Sequence, residues 1–484
     1  MVANALLEQL GRIVGDDRVV SDPIERMVYE SDGFPIARAV PHAVVFPAST
    51  EQVSQCVRSI VAAGHSVVPR GSGTGLTGGC VGYDQGVVIC TSRMTRIIDI
   101  DVAGRTACVE AGVLNQALSE AVARQGGGER LHFAPDPSRQ RAATVAGNVA
   151  TNAGGLHTLK YGVTARHVLG VEMVLADGSV VTTGEGLCDT AGPNVTGLAC
   201  GSEGTLGLLT RVWVRLAPRP HAWRTVVGVF AETRAATQTV TDVIASGIVP
   251  AAMELMDGRM VQVVEEAFGY GFPADAGALL LIEVDGVEAV LDHQMHQLSA
   301  VCRRNGATDV EASSDPVRRR RLWAARKRAF GAIGRISPSY CTQDACVPRS
   351  MLSDVVERIG RIGEQFGLTI TNVFHAGDGN VHPILLFDED DPEQVRNVMH
   401  ASHEILRYCI SIGGAVTGEH GVGVEKLPLM AEMFSRPTLE LFAAIKRAAD
   451  PHGRMNPGKL LPSDRVRVDL TAPPASRTPG GAMA

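Results

Sequence analysis

Residues 69–79 read Pro-Arg-Gly-Ser-Gly-Thr-Gly-Leu-Thr-Gly-Gly, and this segment constrains the fold more than any other. Glycine costs about 1 kcal/mol per position in a helix, so spacing this dense must form a loop. Closely spaced glycines let backbone N–H groups turn inward as an anion-binding nest. The hydroxyls of Ser72, Thr74 and Thr77 add donors, and a pyrophosphate is the natural guest. The plainer reading is a flexible surface turn, but linkers rarely interleave Arg, Thr and Leu so regularly. Gly73-x-Gly75-x-x-Gly78 also matches the dinucleotide fingerprint. That fingerprint needs its third glycine to open a helix. Here residues 79–86 read as another turn leading into a strand, so NAD binding on a Rossmann fold is rejected.

Two further segments place small side chains where a ligand lies close to the backbone. One is Pro135-Asp-Pro-Ser, continuing to Thr144-Val-Ala-Gly-Asn-Val-Ala-Thr-Asn-Ala-Gly-Gly155. The other is Gly201-Ser-Glu-Gly-Thr-Leu-Gly207. Asn148, Thr151 and Asn152 offer polar contacts to a heteroaromatic ring. Each segment alone fits a structural turn; together they point to a large, extended cofactor. The 53 glycines show no G-x-y period, which excludes collagen. A net charge of −7 argues against a general nucleic-acid binder. The ten cysteines form neither a C-x-x-C pair nor iron–sulfur spacing, and reduced, mostly buried thiols are expected. Any electrons the chain collects must therefore leave through another carrier.

The 484 residues allow about two to four domains. Leu6, Leu7, Leu10, Ile13 and Val14 fall at helical spacing, so the N-terminus reads as an amphipathic helix rather than a signal peptide. Residues 49–64 read as a helix, with Ser49 and Gln52 as a capping box and Gly64 at its end. Strands follow at 65–69 and 86–90, a hairpin at 171–183 turns on Asp177-Gly178, and Val212, Val214 and Leu216 alternate as a strand. Pro218 and Pro220 mark a boundary near 220. Beyond it, helices are expected at 254–268, 288–305, 350–366, 393–412 and 437–449, with a strand at 279–284. The expected organisation is a helical segment over 1–40, domains over 41–220 and 221–462, and a disordered tail over 463–484. Nothing approaches the ~20 apolar residues of a membrane span.

Phe374-His-Ala-Gly-Asp-Gly-Asn-Val-His-Pro383 sets His375 and His382 around a turn that its glycines and proline keep from being helical. Gly418-Glu-His-Gly-Val-Gly423 is a second glycine-framed pair. His375, His382 and Glu419 make a three-ligand set with open positions, which leaves His420 free to act as a base. N/O ligands of this kind suit zinc, iron and manganese comparably.

The three glycine-rich segments resemble the FAD-binding domain of the vanillyl-alcohol oxidase / p-cresol methylhydroxylase (PCMH) flavoproteins. The second half resembles the FAD-linked oxidase cap domain of D-2-hydroxyacid dehydrogenases, and most of all the FAD-containing subunits of bacterial glycolate oxidases. The matching residues are Trp323-Ala-Ala-Arg-Lys, Gly334-Arg-Ile-Ser-Pro-Ser-Tyr340, Asn372-Val-Phe-His-Ala-Gly-Asp-Gly-Asn, Gly418-Glu-His-Gly-Val-Gly and Asn456-Pro-Gly-Lys459. The resemblance implies an α+β fold: a two-subdomain PCMH-type FAD-binding domain followed by an α+β cap or substrate domain. It implies FAD with its pyrophosphate on residues 70–77 and its ring near 135–155 and 201–207. The cofactor contacts expected are Pro69, Arg70, Gly71, Ser72, Gly73, Thr74, Gly75, Leu76, Thr77, Pro135, Asp136, Thr144, Gly147, Asn148, Thr151, Asn152, Gly154, Gly155, Glu203, Gly204 and Asn456.

The resemblance also makes His375, His382 and Glu419 ligands of a divalent metal, His420 the catalytic base and Arg326 the clamp for a substrate carboxylate. A guanidinium suits bidentate carboxylate recognition. The remaining basic residues, Arg318 to Arg321, read as a solvated face or docking surface. Ile384, Leu385 and Leu386 favour a small monocarboxylate. The expected reaction is oxidation of a D-2-hydroxy acid, glycolate or D-lactate, to the 2-oxo acid. An iron–sulfur subunit and a second flavin-domain subunit are the implied partners, with the chain cytoplasmic or peripheral at the inner membrane through them. Alternatives are a non-catalytic FAD-binding subunit, another substrate such as 2-hydroxyglutarate, and a metal-dependent hydrolase. Ser138-Arg139 departs from the two serines usual in the family, so an arginine stands where it can touch flavin or phosphate.

Overall fold

A computed structural model describes residues 2–83, 86–184, 192–462 and 470. The expected disordered tail, apart from Leu470, and Cys188 lie outside the described residues. The first helix, Val2–Val14, buries Leu6, Leu10 and Val14 against the helix Thr50–Ala62 and the sheet beneath it. Ser49 caps that second helix by accepting the Gln52 N–H at 3.2 Å, and Gly64 follows it with φ +81°. Gln52 reaches back one residue further than a capping box, accepting from Ala48 N–H.

Among the described residues the N-terminal half holds two main sheets and a two-stranded pair of Leu131–His132 with Ala217–Pro218. In the first, Ala43–Val45, Val87–Cys90 and Val67–Arg70 run parallel, with the helix Thr50–Ala62 as the crossover. Their valines are buried on both faces, which is why these strands read as continuous apolar runs. The second sheet is antiparallel, in the order Ile97–Asp101, Thr106–Glu110, Leu208–Arg215, Val168–Val174, Val180–Thr183. Val174 pairs with Val180 across the Asp177-Gly178 turn, as the hairpin signature predicts.

From Ala222 onward a nine-stranded sheet dominates, faced by helices that include Thr233–Ala245, Glu288–Arg304 and Pro316–Ile333. The helix expected at 254–268 begins only at Gly258; Ala252–Asp257 is a strand. Met253 and Leu255 pack into one core and Ala252 and Met256 into the other, so both faces are covered and strand periodicity is hidden. Asp257 then caps the helix through Met260 N–H at 2.9 Å. Residues 454–456 return to the first sheet, where Val67 donates to Arg454 O and accepts from Asn456 N–H. Among the described residues no helix is long and apolar enough to cross a membrane.

Candidate active site

One cavity of about 390 Å³ runs from the glycine-rich loop to the histidines. Residues 69–77 line it, along with Thr144, Gly147, Asn148, Thr151, Glu203 and Gly204. Gly71 shows why the loop is glycine there: a Cβ would sit 2.5 Å from Thr144 Oγ1. Asn148 Nδ2 is buried in the cavity wall with no hydrogen-bond partner. A buried amide left unpaired costs about 1–3 kcal/mol, and a cofactor carbonyl would satisfy it. The small-residue lining and this orphaned donor fit an extended flavin nucleotide.

Six expected cofactor residues do not line the cavity. Pro135 gives its carbonyl to Asn115 Nδ2, and Asp136 binds His157 Nδ1 at 2.7 Å. Asn152 ends the helix Val145–Thr151 at φ +53° and accepts from Ala165 N–H. Gly154 and Gly155 pack against Glu419 and Asp136. Asn456 donates to Gly79 O and Glu203 O, tying the returning chain to two cofactor loops. These residues shape the walls from behind, a role that proximity in sequence to lining residues could not distinguish.

At the far end of the cavity three imidazoles converge on one carboxylate. Glu419 Oε1 lies 3.3 Å from His375 Nε2, 3.3 Å from His382 Nε2 and 3.6 Å from His420 Nε2. The outer ring nitrogens are fixed. His382 Nδ1 faces the Gln343 carbonyl at 3.0 Å, and His375 Nδ1 faces Glu254 Oε1 at 2.7 Å. Both partners only accept, so each Nδ1 carries a hydrogen, and each Nε2 is the ring nitrogen turned toward Glu419. That is the orientation a metal-bound histidine needs, held by a second layer of acceptors. His375, His382 and Glu419 offer ligand atoms within 4.8 Å of one another, and the donor set fits a divalent cation. Burial works against the Glu419 carboxylate, but His375 and the hydrogen bonds from its neighbours hold it well below the usual range. His420 Nδ1 is buried and has no partner.

Sequence reasoning missed the residue that organises this end. Asp344 is fully buried and accepts N–H groups from Gly418, Glu419 and His420 at 3.0–3.3 Å, plus Thr417 Oγ1 at 2.6 Å. Lys426 Nζ, equally buried, neutralises it at 3.0 Å. Burial alone would raise the Asp344 carboxyl; Lys426, His420 and His382 hold it well below the ordinary range. The signal was present, a charge inside the run Tyr-Cys-Thr-Gln-Asp-Ala-Cys346, and buried charges are normally paired. Glu203 performs a similar service from the other domain. It accepts Val422 N–H at 2.6 Å and Gly423 N–H at 2.8 Å, while burial pushes its carboxyl up to about 7.

Arg326 is not brought to the cavity. Its Nε donates to Glu254 Oε2 at 2.7 Å, and Glu254 in turn holds His375. Arg326 and Glu254 are 1 % and 0 % exposed, so the pair lies behind the histidine, and Arg326 Nη2 is buried there without a hydrogen-bond partner. The cation of this helix that lines the cavity is its neighbour Lys327, alongside Phe330 and Tyr340. Ile384, Leu385 and Leu386 face the cores instead. Arg318 pairs with Glu311, Arg319 with Glu283 and Arg321 with the Gly269 carbonyl, so three of the four expected solvated arginines are engaged.

The chain matches the FAD linked oxidase C-terminal domain over residues 219–460 and an FAD binding domain over residues 41–184. It is 42% identical over 443 residues to glycolate oxidase subunit GlcD of Escherichia coli K12, covering 91% of this chain and 87% of that one. The chain belongs to the FAD-linked oxidases. This FAD-linked oxidase is also 32% identical to a D-lactate dehydrogenase of Archaeoglobus fulgidus, over 86% of its own length and 91% of the relative's. Its fold is that of p-cresol methylhydroxylase, with a TM-score of 0.79 at 18% identity, covering 95% and 96% of the two chains. The match over 41–184 makes FAD the cofactor of this chain.

Proposed function

We propose that this FAD-linked oxidase converts a small D-2-hydroxy acid, glycolate or D-lactate, to the 2-oxo acid. The observation that carries the reading is the set of His375, His382, Glu419 and His420 closing the same cavity that the glycine-rich loop opens. The names of the relatives, a glycolate oxidase subunit and a D-lactate dehydrogenase, support the substrate class. FAD, when bound, supplies the two-electron acceptor for the C2 hydrogen and its bonding pair. A divalent cation (zinc, iron or manganese) on His375, His382 and Glu419 supplies Lewis-acid polarisation of the substrate hydroxyl.

The chain's own residues do the remainder. His420, whose side chain closes the cavity beside the other two imidazoles, takes the hydroxyl proton. Asp344 fixes the backbone of Glu419 and His420, so neither side chain has to be reoriented when substrate arrives. Lys327 offers the cavity-side cation for the carboxylate, and Arg326 acts from behind through Glu254 on His375. Phe330 and Tyr340 keep the substrate end of the cavity apolar. Electrons leave to partners: an iron–sulfur subunit and a second flavin-domain subunit, with the chain in the cytoplasm or held at the inner membrane through them. His420→Ala tests the base. FAD should stay bound, with substrate reducing the flavin about 10²-fold or more slowly; reduction at the normal rate would overturn the assignment.

A further inference from the structure

Arg70 opens the glycine-rich loop and is the cation that sequence alone offers to a pyrophosphate. The structure commits it elsewhere. Its Nη1 donates to Ser31 O at 2.9 Å and to Cys80 Sγ at 3.4 Å. Its guanidinium lies 5.6 Å from the Tyr29 ring centroid and packs beneath Gly73. Arg70 thus braces the loop against residues 29–33. Asp32 approaches the same loop, its Oδ2 3.4 Å from where a Cβ on Gly75 would stand. A pyrophosphate arriving here, with one negative charge on each phosphate, meets a carboxyl and a cation whose Nη1 is already tied to the protein.

Arg139 answers that deficit. It lines the same cavity as Ser72, Gly73 and Gly75. Its Nη1 comes within 2.9 Å of where a Cβ on Gly33 would stand, and Gly33 N–H donates to Gly75 O at 2.7 Å. The guanidinium therefore sits at the edge of the nest. The backbone of Arg139 is fixed: its carbonyl accepts N–H groups from Ala142 and Ala143, both at 2.8 Å, and Gln140 N–H closes on Pro137 O. Its side chain is exposed and makes no ion pair or hydrogen bond among the described residues.

We propose that Arg139 is the cation that binds the pyrophosphate of FAD in this chain, with Arg70 serving as the brace that shapes the loop. A guanidinium matches two phosphate oxygens at once, and backbone N–H groups of residues 71–75 take the others. The assignment rests on FAD binding and is independent of which hydroxy acid is oxidised.

The test follows release of FAD from the intact holoenzyme, read by the fluorescence of freed flavin, at low and high salt. Wild-type release should quicken with salt. Arg139→Gln should release FAD roughly tenfold faster at low salt, the scale of one charge-assisted hydrogen bond at a solvent-facing site, and should have lost most of its salt response. Arg139→Lys should restore part of both. An Arg139→Gln enzyme that keeps the wild-type rate, or the wild-type salt response, overturns the proposal. Rebinding of riboflavin, which has no phosphate, to stripped protein gives the second reading. Equal loss of riboflavin and FAD affinity in Arg139→Gln would place the arginine at the ring and refute the phosphate assignment.

Discussion

His157 joins the two domains, and its removal has a consequence that pH exposes. Its Nδ1 meets Asp136 of the FAD-binding domain at 2.7 Å, and its Nε2 meets Glu283 of the cap at 3.4 Å. The ring stacks on Trp323, and the neighbouring Lys160 and Tyr161 both bind Asp285. Burial pushes the imidazole down, but Asp136 and Glu283 outweigh it and raise it from 6.5 to about 10. The folded chain therefore keeps a proton that the unfolded chain has released above pH 6.5. The resulting stability is fully present below pH 6.5 and is lost as pH rises through 10. Linkage between those two values gives about 2.5 kcal/mol lost between pH 7 and pH 9. With the side chain 25% exposed, about 1–2 kcal/mol is the realistic figure. Over a domain the size of the cap, that is roughly 3–6 °C in Tm. The perturbation is His157→Gln, compared with wild type by calorimetry across this pH range. The wild type should melt higher at pH 7, and the gap should shrink by that amount by pH 9. A gap that stays constant or widens would refute the charged latch.

Two further outcomes follow from the site itself. Asp344→Asn removes the charge that Lys426 faces and weakens the grip on three N–H groups. Breaking a buried pair of this kind costs about 3–5 kcal/mol, so the Glu419–His420 turn should loosen. Metal content by elemental analysis should drop well below that of wild type while bound FAD persists; unchanged metal content would show that Asp344 does not organise the ligands. Lys327→Gln should raise KM for the hydroxy acid roughly tenfold, with kcat little changed and a weaker dependence on ionic strength. An unaltered KM would remove Lys327 from substrate binding.

Much of this molecule was legible in its sequence, and the illegible parts share a cause. The cofactor loop could be read because glycine spacing excludes regular structure, and the helix 49–64 because its cap and apolar stripe are local. The convergence of His375, His382 and Glu419 followed from two glycine-framed turns that could bend toward each other. Local pattern failed where long-range pairing decides. The strand Ala252–Asp257 looks helical until both faces are seen to be covered. Arg326 is expected to clamp a substrate carboxylate, and its bond to Glu254, on that strand, is a long-range contact that the local sequence does not reveal. Asp344 and Asp136 act through partners 82 and 21 residues away, which their immediate sequence does not identify.

The central claim is that this cavity joins a flavin to a hydroxy-acid site. The most direct measurement is the visible spectrum of the purified protein, repeated without oxygen after addition of glycolate and then D-lactate. Flavin bands that bleach with one of these acids are the predicted result. Flavin bands that persist with both would contradict the proposed substrate class, and protein that never holds flavin would contradict the account from the glycine-rich loop onward.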